Sequence, residues 1–123
     1  MRYLTDRKRA IGLGSAKSGT GHFWSMKVSS VALLILVPLF IFTFGPVLGQ
    51  PYDLVLDYYS RPFPAIVAAL TLLVGMKHFA EGAQVLIEDY VHGIMEKVLI
   101  ILTTCLAYGA AAAGLFAIAR IAL

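Results

Sequence analysis

The chain has 123 residues, 59% of them apolar and only 14% charged, with a mean hydropathy of +0.82. That is well beyond the roughly half-apolar composition of soluble domains and excludes a water-soluble globular fold. The net charge of +3 does not mark a nucleic-acid binder, because the basic residues are neither interleaved with aromatic stacking groups nor carried on a soluble module. A single cysteine, Cys105, lies inside an apolar run; it excludes an intrachain disulfide and a redox thiol pair, and reads as a packing residue.

Residues 1–27 form a basic arm. Arg2, Arg7, Lys8, Arg9, Lys17 and Lys27 all precede the first apolar run, opposed only by Asp6, so the positive-inside rule puts the N-terminus in the cytoplasm. Such an Arg- and Ser-rich, acid-poor start also resembles a transit or signal peptide. The intact Met1, and an apolar run too long for a signal h-region, make retention of the segment the expectation. The glycine-rich stretch IGLGSAKSGTG lacks the GK[ST] ending of a phosphate loop and is read as a flexible arm.

Residues 28–123 read as a single all-α membrane domain of three transmembrane helices, at about 28–48, 63–90 and 97–120. The first run is uncharged and has the roughly 20 residues needed to cross a hydrocarbon core of about 30 Å. Pro38 removes a backbone donor in its middle and is expected to kink it. Residues 49–64 carry Asp53, Asp57, Arg61 and three tyrosines, the pattern of an outer interfacial loop, and Pro62 and Pro64 suit the start of the second helix. The third run is rich in small residues, and the Gly109–Ala113 step reads as general bundle packing. Three crossings place the C-terminus, with Arg120 ending the last helix, on the outer side.

The second helix departs from a plain anchor, because Lys77, His78 and Glu81 sit about midway along it, where ionisable groups cost a few kcal/mol each unless they face protein, water or a cofactor. At about 100° per residue from His78, Gly75 falls at about 60°, Gly82 at about 40° and Asp89 at about 20°, all on one face. Glycines a turn below and a turn above His78 leave room for a large flat body such as a porphyrin, although helices also pack on small residues in this way. Without a cofactor, His78 would be hydrogen-bonded to a neighbouring helix. Lys77, Glu81, Gln84 and Glu88 form a second, polar stripe between about −60° and −120°. Lys77 and Glu81, four residues apart, either pair within the helix or reach a further subunit. Three helices can hardly bury both faces, so packing against another membrane subunit is expected.

Tyr90 follows His78 by twelve residues, about 18 Å along a helix, which carries the chain from mid-membrane to the cytoplasmic interface. The segment HFAEGAQVLIEDYVHG, with His78, Gly82, Val85 and Asp89-Tyr90-Val91, resembles the second helix of the small haem-bearing anchor subunit of succinate dehydrogenase, respiratory Complex II (the SdhD type). The three-helix plan and the length extend the resemblance over essentially the whole chain.

The resemblance implies a haem-binding helix bundle completed by a second anchor subunit of the cytochrome b556 type. His78 would supply one axial ligand of a b-type haem, a histidine of the companion anchor the other, and the iron would exchange electrons without binding oxygen. Tyr90 would hydrogen-bond a ubiquinone carbonyl, with Asp89 orienting or protonating the site; by itself Tyr90 reads equally as an interfacial anchor. Lys27 and His22, just before the first helix, would be candidate contacts of the haem propionates, and His92 an exposed loop histidine. No dinucleotide fingerprint or cysteine cluster is present, so succinate oxidation would belong to a flavoprotein and an iron–sulfur subunit in a complex on the bacterial inner membrane. The alternatives are the anchor of a menaquinol:fumarate reductase, and a structural or assembly membrane protein in which His78 only packs.

Overall fold

The structure is a computed structural model that describes residues 3–15 and 19–123; Arg2 and Lys17 of the basic arm lie outside the described residues. Five α-helices follow in chain order: α1 (Asp6–Ile11), α2 (Gly19–Phe44), α3 (Tyr52–Tyr59), α4 (Pro62–Tyr90) and α5 (Ile94–Ala122), with a single 3-10 turn, Gly45–Val47, extending α2. No strand occurs among the described residues. Three helical segments, Gly19–Val47, Pro62–Tyr90 and Ile94–Ala122, are long and apolar enough to span a membrane. Each has 29 residues, and at 1.5 Å per residue an α-helix of that length is about 43 Å long, so its ends project beyond a hydrocarbon core of about 30 Å.

The first span begins nine residues earlier than hydropathy places it. Apolarity marks where lipid begins, whereas the helix continues into the polar stretch Gly19–Lys27 because that stretch packs against α4. The helix runs uninterrupted through Pro38. Two short helices replace segments expected to be irregular. In the arm, the Thr5 side chain caps α1 by accepting from the Lys8 amide at 3.3 Å. In the outer loop, α3 half-buries Val55, Leu56, Tyr58 and Tyr59 while Asp53 and Asp57 stay exposed, and Arg61 closes on Asp57 at 3.0 Å. The Tyr59 hydroxyl is enclosed without a partner at hydrogen-bonding geometry; the Thr43 hydroxyl near it donates to the Phe40 carbonyl at 3.0 Å. Burial, with Tyr58 adjacent, pushes the Tyr59 phenol above its ordinary pKa and keeps it neutral.

Helix α4 is central. It packs against α2 on one side and α5 on the other, and among the described residues no Cα of α2 comes within 8 Å of a Cα of α5. The three spans therefore form an open layer. The contacts are thin and made by small residues, with Ala65, Ala68, Ala80, Ala107 and Ala111 buried and no large side chain fully enclosed. At the α4–α5 interface a Cβ on Gly114 would meet the flexible end of the Leu72 side chain, so this glycine marks a point of close approach. Gly109 and Ala113, the step assigned to bundle packing, face outward, and Ala107, Ala111 and Gly114 hold the interface in their place. Cys105 is likewise exposed on this chain. Helices α4 and α5 are joined by Val91–Gly93, where Gly93 has φ 76°, a left-handed conformation that glycine adopts without steric cost.

Candidate functional site

On α2, His22, Ser25 and Ser29 stand at i, i+3 and i+7, which aligns them along one face of the helix. That face meets the polar stretch of α4. Ser29 Oγ lies 2.9 Å from His78 Nδ1, and one turn on, Ser25 Oγ donates to Glu81 Oε1 at 2.6 Å. The pairing 29 with 78 and 25 with 81 makes the two helices antiparallel, so the start of α2, with the basic arm before it, and the Tyr90 end of α4 lie at the same end of the molecule.

Lys77 and Glu81 form their ion pair within the helix at 2.7 Å, and Lys77 also donates to Ser25. The pair neutralises itself against α2 with no need of a further subunit. Further along the stripe, Gln84 donates to Glu88 at 2.8 Å. Between α2 and α4, two enclosed polar atoms have no hydrogen-bond partner among the described residues, His22 Nε2 and Glu81 Oε2. The His22 ring lies within electrostatic range of that carboxylate.

His78 is half-buried, and its two ring nitrogens differ. Nδ1 is held by Ser29; Nε2 has no hydrogen-bond partner among the described residues and is not enclosed. Gly75 and Gly82, on the His78 face, have nothing within 4 Å of where a Cβ would stand. This differs from Gly114, which a neighbouring side chain occupies, so helix packing within the chain does not account for the two glycines. An accessible imidazole nitrogen beside unoccupied backbone fits the demands of a porphyrin with axial histidine ligation.

Asp89 and Tyr90 are the last two residues of α4, and both are exposed, Tyr90 at 79%. They stand side by side at the helix end, about 18 Å along the axis from His78 by the helical rise. His92 is exposed in the following turn. Lys27 is exposed, and its ammonium sits 5.4 Å above the Phe23 ring of its own helix. The fold thus gathers His22, Ser25, Ser29, Lys77, His78 and Glu81 between two helices, and leaves Asp89 and Tyr90 on an open surface.

Sequence reasoning missed Ser25 and Ser29. Their spacing to His22 carried the signal, since a polar i, i+3, i+7 stripe at the start of an apolar run predicts a face turned to another polar face.

Residues 1–118 match the family described as succinate dehydrogenase/fumarate reductase transmembrane subunit. The chain is 45% identical over 123 residues, all of its length and 95% of the relative's, to a succinate dehydrogenase hydrophobic membrane anchor subunit of Paracoccus denitrificans. It is 30% identical over 86 residues to a succinate dehydrogenase membrane anchor subunit of Reclinomonas americana, covering 68% of this chain and 72% of that one. A hydrophobic membrane anchor subunit of Rickettsia conorii is also 30% identical, over 96 residues and 76% of each chain. No solved structure matches the chain significantly.

Proposed function

The chain belongs to the succinate dehydrogenase/fumarate reductase transmembrane subunit family, and from that premise, as a membrane anchor subunit of succinate dehydrogenase, we propose that it holds one side of a b-type haem and part of a ubiquinone site. The observation that carries the haem reading is His78: its Nε2 is open beside Gly75 and Gly82, and its Nδ1 is already held by Ser29. A haem held here would supply one-electron transfer within the membrane.

This chain's residues do the holding. His78 would hold the iron through its open Nε2, together with a histidine of a companion anchor subunit. Gly75 and Gly82 admit the flat ring. Of the two candidate propionate contacts, Lys27 suits the role better, since its ammonium has no carboxylate partner among the described residues whereas His22 already has Glu81 nearby. The His22 Nε2 has no hydrogen-bond partner but is enclosed, which leaves Lys27 the more accessible of the two.

Quinone reduction consumes two protons and needs donors at a water-accessible edge of an apolar slot. Tyr90, exposed at the end of α4, donates its phenol proton in a hydrogen bond to a ubiquinone carbonyl, and the Asp89 carboxyl beside it orients or protonates the site. The remaining walls of that slot come from partner subunits, consistent with the open surface on which Tyr90 stands. Electrons reach it from an iron–sulfur subunit fed by a flavoprotein, because this chain has no group to oxidise succinate. The basic arm and the Tyr90 end share the cytoplasmic face of a bacterial inner membrane, and the C-terminus is periplasmic.

Purification of the assembled complex through a tag on this chain tests the reading. A flavoprotein, an iron–sulfur protein and a second anchor are expected to accompany it, with a b-type absorption spectrum. A complex without b-type absorption would remove the haem from the account, and recovery of the chain without the two soluble subunits would remove the enzyme.

A further inference from the structure

Ser29 is buried, at 4% exposure, in the first third of a span where an unpaired hydroxyl is costly. Its oxygen has two close neighbours: His78 Nδ1 at 2.9 Å and the Met26 carbonyl, to which it donates, at 3.0 Å. A hydroxyl has one proton to give and two lone pairs with which to accept. If that proton points to Met26 O, the oxygen is free to accept from an Nδ1–H, and both contacts are hydrogen bonds. If it points instead to Nδ1, two oxygens face each other at 3.0 Å with no proton between them. The Met26 carbonyl also receives the Ser30 hydroxyl at 2.8 Å, besides the Ser30 amide of the helix ladder, so it is a shared acceptor.

We propose that Ser29 is the positioning residue of His78: it accepts the Nδ1 proton, passes its own to the Met26 carbonyl, and so fixes the tautomer whose bare Nε2 lone pair faces the haem iron. The inference rests on the haem reading above and assigns the second helix face that makes it work. Neutral imidazole bound to a metal through Nε2 must carry its proton on Nδ1, and that proton needs an acceptor. The acceptor is already in place at bonding distance, so ligation requires no rearrangement of α2 against α4. The chain of donors also polarises the imidazole, raises its basicity and favours the ferric ion.

Removing the acceptor therefore has two consequences that a mere packing role lacks. Ser29→Ala in the assembled complex is expected to lower haem affinity about tenfold or more, as loss of such outer partners commonly does. It is also expected to raise the haem midpoint potential and shift the low-spin electron paramagnetic resonance signal. Ser29→Thr, which keeps the hydroxyl, restores both. Should Ser29→Ala prevent assembly, Ser29→Cys is close in shape and a weak acceptor, and is expected to shift the potential in the same upward direction by less. Ser30→Ala, which removes a hydroxyl with no bond to His78, leaves the potential unchanged.

Wild-type complex with b-type haem, together with Ala and Cys variants at unchanged potential and haem retention, overturns the role of Ser29 while leaving His78 as ligand. Wild-type complex lacking b-type haem overturns the underlying reading itself.

Discussion

Ser25 on α2 and Glu81 on α4 meet at 2.6 Å, and through that contact the Lys77–Glu81 ion pair is turned onto a neighbouring helix and away from lipid. Apolar helices gain little from burial against each other in a bilayer, so polar contacts of this kind help to set which faces meet. The same register delivers Ser29 to His78.

Glu81→Leu leaves the Lys77 ammonium at mid-span without a counter-charge, at a cost of about 2.5–3.5 kcal/mol on insertion scales. The assembled complex should fall in amount and in melting temperature. Replacing both, Lys77→Met with Glu81→Leu, removes the unpaired charge and should recover most of the loss, because an apolar pair of similar size is often as stable as a buried ion pair. Stability of solubilised complex across the four-membered mutant cycle measures this coupling.

Glycines with different neighbours should respond differently to a side chain. Gly82→Leu meets open space at its Cβ and gains helix propensity, so the chain should still insert and assemble while haem content drops severalfold, because the side chain takes the face beside His78. Gly114→Ala meets only the flexible end of Leu72, which can turn aside, and should change the stability of the α4–α5 contact by less than about 1 kcal/mol with an unchanged haem spectrum. Pyridine haemochrome content and thermal stability of the two variants separate the roles.

Tyr90→Phe removes a hydroxyl that has no hydrogen-bond partner within the described residues, so the fold should be unaffected. Loss of a hydrogen bond worth about 1–1.5 kcal/mol to the quinone should lower ubiquinone reductase activity about tenfold. Succinate oxidation by an artificial acceptor and the haem spectrum should both match wild type. Equal ubiquinone turnover in the two proteins would assign Tyr90 to the membrane interface.

The three spans were legible because a run of some 20 apolar residues in lipid has few ways to satisfy its backbone other than as a helix. Helix α4 ends at Tyr90 as read, where the charges Glu88 and Asp89 precede a turn with glycine at a positive φ. The short helices α1 and α3 were not legible, since six and eight residues carry too little hydropathy signal to stand out from an arm and a loop. Small residues on α5 announced a close contact without its register: Gly109 and Ala113 repeat at the same spacing as Ala107 and Ala111, and only the tertiary contact selects between them. At the site, His78, Lys77 and Glu81 stood out by their cost in lipid. Ser25 and Ser29 did not, because a serine is cheap enough in a transmembrane helix to pass as filler, and its importance appears only when the facing residue is known.

Ligation of a haem by His78 is tested by His78→Ala in the complete complex, read by reduced-minus-oxidised absorption and low-temperature electron paramagnetic resonance. Loss of the b-type band, or replacement of the bis-histidine low-spin signal by that of another ligand set, with the flavin and iron–sulfur signals intact, is the predicted result. A variant whose b-type band and low-spin signal are those of wild type would contradict it.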